Sequence, residues 1–421
     1  MNADTAPAAK RGSSINTERI HLLDALRGFA LLGVLLVHTN ELAAITPAAG
    51  GRSGLLSNVA LDLWAERFVR VFVFWKAQTL FTVMFGISFA IQMARLESRE
   101  TDAGSVYRRR LLGLLVIGLL NVALLPAVND ILVFYALGGF VLMFMRAWET
   151  RALVGVGLLL ALAVMPAASV VMGAPGLGYP RPVSPVGALG NVDLLAVNQK
   201  GSYWEIIQYH WLSVWFVSHI EWGLLTFLPF VIGRFMIGIA VLRTGLLTEP
   251  RRHRHALTWG AATGLPLGIL LTVSPWIVRS AEDAGWIPDP HAWHTLALFL
   301  EQAGTLLLAA AYAALFALAW QAAPLRRLLS VFEPVGQTAV TNYLLQSVFN
   351  SLVFFGFGLG LFGRLGSALC LSVALGFFPL QCLISHLWLR TFQFGPVEWL
   401  WRAWTYRKRP AWRRAQPTAA V

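Results

Sequence analysis

Charge is scarce in this chain. Asp, Glu, Lys and Arg make up 13% of 421 residues, about half the share usual in soluble domains. That scarcity excludes an ordinary soluble domain and a charged disordered chain. Cysteine is nearly missing as well. Cys370 and Cys382 fall within one apolar run, and a helix would separate them by about 18 Å, too far to bridge. No disulfide framework is expected. There is no Walker loop, no HExxH, no CxxC and no strand-borne dinucleotide fingerprint. The His residues are scattered without ligand spacing, so no metal is expected. No fixed-period repeat marks a solenoid.

Apolar sequence is abundant instead. Hydrophobic residues make up 57% and mean hydropathy is +0.62. These values identify a polytopic all-α transmembrane helical bundle. Apolar runs predict about ten spans, near 20–40, 68–94, 109–125, 130–146, 152–173, 222–243, 256–278, 293–321, 335–360 and 366–392. Lys and Arg number 23 in the amino tail and alternate connections, against 6 in the others. The positive-inside rule then places both termini in the cytoplasm. It also accounts for the net charge of +12, so no nucleic-acid partner is needed. The Trp residues, 17 in all, suit interfacial anchoring to membrane lipids.

Residues 1–16 read as a disordered cytoplasmic tail, and the first apolar run is too long for a cleaved signal peptide. Segment 174–202, rich in Gly and Pro, is the longest outer loop. The aromatic stretch after it, with Glu205, His210 and His219, suits a re-entrant or interface-lying helix. The final segment 394–421 begins with Gly395 and Pro396 and reads as an amphipathic helix on the cytoplasmic leaflet, followed by a basic tail. Val397, Leu400, Trp401 and Trp404 would share its apolar face, and Glu398 would sit near its own positive end.

The sharpest chemistry lies in TERIHLLDALRGFALLGVLLVHTNE, from Thr17 to Glu41. Arg27 and His38 are 11 positions apart, which returns to nearly the same helix face about 16 Å along the axis. Asp24 lies one turn before Arg27, and Glu41 about one turn after His38. Ionisable residues in a span are costly and face a protein interior or a wet cavity. Arg27 can bind phosphate bidentately with Asp24 holding it. His38 can act as a general base oriented by Glu41. An interhelical ion pair with a polar residue at the outer interface is the alternative.

Other candidates are spread along the chain. Lys76 in the second span is a functional group or a snorkelling cation. Asp130, near the turn before the fourth span, can oppose Lys76 or Arg70, or can be solvated. Arg234 lies deep enough to need a structural partner or an anionic ligand. Asn342, Gln346 and Asn350 stack one turn apart, as cavity lining or as interhelical links. His386 reads as a satisfied core residue, and Gly86 as a close-packing position.

The motifs LDALRGFALLG at 23–33, TLFTVMFGISFA at 79–90, TNYLLQS at 341–347, GLGLFG at 358–363 and FGPVEWLWRAWTY at 394–406 occur in one chain. In this combination the sequence resembles the YeiB-like family of bacterial inner-membrane proteins. Its first helix is also similar to that of transmembrane acyltransferases, the bacterial sugar O-acetyltransferases and the lysosomal heparan glucosaminide N-acetyltransferase group. The Arg27 to His38 spacing matches the former.

The resemblance implies a multi-pass protein of the bacterial inner membrane. Residues 17–220 would form an acyltransferase-like half, and 221–393 a YeiB-like half. An acyl-CoA, with acetyl-CoA the expected donor, would meet Asp24, Arg27 and Arg234 from the cytoplasm. His38, Glu41 and Lys76 would serve catalysis, with Lys76 or the amides of Gln346 and Asn350 stabilising the oxyanion. Asn342, Gln346 and Asn350 would hold the acceptor, an envelope glycan or small molecule carrying a hydroxyl or amine. A homodimer is compatible with this reading. The competing expectation is a transporter, flippase or export component.

Overall fold

The first helix, α1 (Thr17–Glu41), is flanked along its length by elements distant in sequence. The computed structural model describes residues 17–43, 58–98, 102–126, 130–171, 194–211, 224–287 and 290–414. The expected tail 1–16, loop residues 174–193 and His219 lie outside them. Helices α2 (Val59–Phe68) and α3 (Lys76–Glu97) are joined by a π-helical turn at Val69–Val73. Then come α4 (Ala103–Leu124), α5 (Leu132–Met145) and α6 (Thr150–Val171). Two short helices follow, α7 (Leu194–Lys200) and α8 (Tyr203–Tyr209). The second half holds α9 (Leu228–Thr244), α10 (Arg254–Thr272), α11 (Ser274–Asp283), α12 (Pro290–Trp320) and α13 (Ala323–Leu329). It ends with α14 (Glu333–Gln337), α15 (Ala339–Phe354), α16 (Ser367–Thr391) and α17 (Pro396–Tyr406).

The architecture is an all-helical membrane bundle. Among the described residues, 7 helical stretches are long and apolar enough to cross a membrane: His21–Glu41, Val59–Glu97, Thr150–Val171, Leu224–Thr244, Arg254–Asp283, His291–Trp320 and Ser367–Thr391. The other expected spans fold as α4, whose first turns carry Arg108, Arg109 and Arg110, as α5 of 14 residues, and as α15 of 16 residues. One apolar core draws on both predicted halves, joining Leu26, Phe89 and Tyr107 to Phe235, Ala317, Tyr343 and Trp401.

Two expected spans are interrupted. The second is broken at Trp75, whose φ of 64° is left-handed, a conformation unusual for a bulky residue. Its indole is held by Phe74 and Phe230, each with ring centroids 5.1 Å away. The ninth is broken at Thr338 (φ −112°, ψ 42°), which separates α14 from α15. It ends at Phe354 rather than 360, and the glycine-rich residues after it form turns with left-handed Gly360 and Gly363, where a side chain would be strained.

Helices α14 and α15 run beside α1 in the same direction. A Cβ at Gly28 would collide with the Phe332 carbonyl, and one at Gly336 with the Asp24 carbonyl, so the two backbones touch. Farther along, the Gln346 amide donates to the Leu31 carbonyl at 3.3 Å and Thr39 donates to Asn350 at 3.1 Å. At the far end, the Gly363 N–H donates to the Leu42 carbonyl at 3.1 Å. Gly86 is confirmed as a close-packing position, since a Cβ there would collide with the Phe235 carbonyl.

The carboxyl-terminal helix does not float on a surface. Its Trp401 and Trp404 indoles donate to the Arg110 and Arg109 carbonyls at 2.7 and 3.1 Å, which docks α17 on α4. Leu400 and Trp404 are exposed and Trp401 is buried, so the expected single apolar face is split between solvent or lipid and protein. The basic tail folds back, with Trp412 against Trp399 and Phe392 at 4.8 and 5.3 Å between ring centroids. At α8, Ser202 and Glu205 form a capping box. The bond from the Ser202 backbone holds the Glu205 carboxyl below its ordinary value.

Candidate functional site

The end of the bundle that carries the amino terminus of α1 is basic, and its side chains come from α1, α3, α4, α14 and α17. Arg27 donates to Asp24 at 2.8 Å, to Ser88 at 2.7 Å and to the Gly336 carbonyl at 3.2 Å. The predicted Asp24–Arg27 pair is therefore real, and α3 and α14 fix its direction. His21 and Glu333 bond each other, and Gln337 donates to Glu333 at 2.8 Å. Arg110 of α4 lies over the Trp401 ring at 3.9 Å, and Arg402 of α17 lies over Phe394 at 4.3 Å.

The carboxylate that acts on Arg402 is already occupied. Glu398 accepts from the Val340 and Thr341 N–H groups at 2.7 and 2.9 Å and from the Thr341 hydroxyl at 2.5 Å. It caps the freed amino end of α15. The sequence placed it at the start of its own helix; the break at Thr338 supplies the second helix start. This helix lies outside the spans, and burial pushes the Glu398 carboxyl above its ordinary value against the pull of the Thr341 bonds.

The middle of α1 is packed. Leu31, Val34 and Leu35 are buried, and Gly33 rests against Ala77. The stacked amides form interhelical links here. Asn342 donates to Ser385 at 2.9 Å, and the Gln381 amide donates to the Asn342 carbonyl at 3.1 Å. Gln346 donates to Gln381 at 3.1 Å, while its own Oε1 is buried with no partner. Gln381 and Ser385 were not singled out in the sequence, although polar residues one turn apart in the last span were a readable signal.

At the opposite end of α1, His38 is half-buried and edge-on to Tyr343, with centroids 6.2 Å apart. The Ile131 N–H donates to the Tyr343 hydroxyl at 3.3 Å. Asp130 accepts from Asn121 at 2.7 Å and from the Val133 N–H at 3.1 Å. Asp130 therefore opposes neither Lys76 nor Arg70. Asp130 and Glu41 both lie close enough to act electrostatically on Tyr343. Glu41 itself is exposed at the helix end.

Lys76 and Arg234 belong to an interior group away from both ends. Lys76 is fully buried rather than snorkelling, and donates to the Arg70 carbonyl at 3.1 Å. Buried Glu301 acts on it electrostatically. Arg234, also fully buried, donates to Thr79 at 2.8 Å and Gln302 at 3.3 Å and lies over Phe230 at 3.2 Å. Glu301 and Gln302 were missed, although a carboxylate inside ALFLEQAGTLLL was a legible signal. The predicted residues thus separate into a basic end, an amide seam, a His38 end and an interior charge group. His386 on α16 is exposed rather than a core residue, because it shares the outward face with exposed Leu383 and Leu387 while Gln381, Ser385 and Leu389 face the protein.

With this geometry in view, comparisons place the chain. The family described as Protein of unknown function (DUF418) matches residues 241–408, from the end of α9 through α17. "Uncharacterized protein YxaH" of Bacillus subtilis (strain 168) is 29% identical over 412 residues, 93% of this chain and 96% of its own length. "Uncharacterized protein YeiB" of Escherichia coli (strain K12) is 27% identical over 420 residues, 93% of this chain and 97% of its own length. These matches support a YeiB-like family for the chain. No solved structure matches it. The family match covers the broken α14–α15 span and α17, and Arg27 and His38 precede it.

Proposed function

We propose that this YeiB-like protein is an integral membrane acyltransferase of the bacterial inner membrane, with its basic end and both termini in the cytoplasm. Acyl-CoA binds at the basic end, and an acceptor hydroxyl or amine binds at the His38 end. One observation carries the reading: a single helix presents a fixed, half-buried arginine at one end and a half-buried histidine beside Tyr343 at the other.

In this reading Arg27, held by Asp24 and Ser88, meets a donor phosphate as a bidentate partner. His38 takes the proton from the acceptor as its oxygen or nitrogen attacks the thioester carbonyl. The carbon–sulfur bond breaks, and the CoA thiolate leaves and is protonated. Asn350, tied to α1 through Thr39, presents an amide N–H group for the oxyanion. Arg234 and Lys76, bonded within the interior, support the fold rather than the donor. The packed middle of α1 must open along the α15 seam for the thioester to reach His38.

The test is purified protein given radiolabelled acetyl-CoA and envelope glycan acceptors. Label transfer that is lost in folded His38→Ala supports the reading. No transfer by the wild type to any hydroxyl or amine acceptor, or equal transfer by His38→Ala, overturns it. A transporter is favoured by a different observation, the helix break at Trp75 beside buried Lys76, with Trp75 and buried Arg234 both against Phe230. Broken helices with buried charge suit a substrate pathway. That reading predicts flux in proteoliposomes without CoA.

A further inference from the structure

Arg110 and Arg402 are half-buried cations that neither predicted site uses. They come from helices that pack together, α4 and α17, and each guanidinium lies on an aromatic face, Trp401 and Phe394. A guanidinium stacked on a ring has its N–H donors in the plane of the stack, where they remain available. The Tyr107 hydroxyl lies near Arg110 on the same helix. Tyr406 stands close to both arginines and accepts from Gln92 at 3.4 Å, so α3 closes a third side.

The surrounding charge is mostly positive, although Glu398, held at the start of α15, pulls on Arg402. Arg27 is near enough to Arg110, and Arg95 near enough to Arg402, for each pair to repel. Among the described residues, neither Arg110 nor Arg402 has a carboxylate at ion-pair distance. Asp24 is taken by Arg27, Glu333 by His21 and Gln337, and Glu398 by the start of α15. The fold thus holds converging guanidiniums and commits every neighbouring carboxylate elsewhere. Such a group is stable when an anion joins it, and planar bidentate donors match phosphate.

We propose that Arg110 and Arg402, with Arg27 at the edge, form a binding site for a phosphate-bearing anion between α1, α3, α4 and α17. The acyl-CoA reading supplies one source, the phosphates of the donor; an anionic lipid headgroup carries the same chemistry. The anion site rests on that reading only for the choice between these sources.

The experiment uses the full chain in phosphatidylcholine nanodiscs and in nanodiscs containing phosphatidylglycerol. Coenzyme A and inorganic pyrophosphate are titrated by calorimetry, and retained phosphatidylglycerol is measured by native mass spectrometry. Arg110→Gln, Arg402→Gln and the double variant are compared with the wild type and with Arg407→Gln, an exposed control. Arg402→Lys keeps the charge, and thermal unfolding checks that each variant is folded. The expected result is coenzyme A binding in phosphatidylcholine discs, competed by pyrophosphate, weakened at least about tenfold in each Gln variant and partly retained in Arg402→Lys. Retention of phosphatidylglycerol that depends on the same arginines, with coenzyme A silent, keeps the anion site and removes the acyl-CoA reading. Absence of any phosphate species on the wild type, or binding unchanged in a folded double variant, overturns the proposal. Failure of acetyl transfer alone bears on the acyltransferase reading and leaves this site standing.

Discussion

Glu398 of the last helix caps Thr341 of a helix that begins at a break in the ninth predicted span. Its two oxygens accept from the Thr341 N–H at 2.9 Å and hydroxyl at 2.5 Å. This contact ties the carboxyl-terminal helix to the α1–α15 pair. Replacing Glu398 with Ala leaves buried donors unpaired and should cost about 1–3 kcal/mol. A matching fall in unfolding temperature in detergent checks this; an unchanged value would show that water replaces the cap.

The same carboxyl gives a pH dependence. Burial raises its folded-state pKa, so folding favours the protonated form. The stabilising contribution is full below the ordinary carboxylate range and is lost as pH rises through the raised value. The stability of the wild type relative to Glu398→Gln should therefore fall across that window. Unfolding curves over a pH series measure it, and a flat or rising difference contradicts the assignment.

Gly28 and Gly336 set the spacing of α1 and α14. Ala at either position would press a methyl group into the Phe332 or Asp24 carbonyl. Overpacking of this kind costs about 1–3 kcal/mol. Both variants should unfold earlier than the wild type, whereas Gly155→Ala and Gly376→Ala, where a Cβ meets open space, should not.

Lys76 and Glu301 share the interior charge group. Removing one leaves the other less compensated, so Lys76→Met and Glu301→Gln should each destabilise. The double variant should recover part of the loss, with a coupling of about 0.5–3 kcal/mol. A thermal-stability double-mutant cycle reads it, and strict additivity would separate the two residues.

The amide seam is weaker. Gln381→Leu removes bonds to Asn342 and Gln346. Polar links between membrane helices average about 0.6 kcal/mol each, so a modest loss of stability is expected. A loss above that of Glu398→Ala would mean that the seam carries more than packing.

Sequence alone determined that this is a helical membrane chain and located most of its spans, because hydropathy and basic loops are local properties of the chain. It also paired Asp24 with Arg27, since a helical turn joins them without help from the rest of the fold. It could not show that the second and ninth spans break, because Trp75 and Thr338 are held in those conformations by aromatic rings and a distant glutamate. Nor could it sort the polar residues into separate groups. Asn342 meets Ser385 only because α15 packs on α16, and Arg110 approaches Arg402 only because α17 docks on α4. Those contacts depend on backbone approaches at glycines and on the three-dimensional meeting of helix faces, which no spacing along one helix encodes.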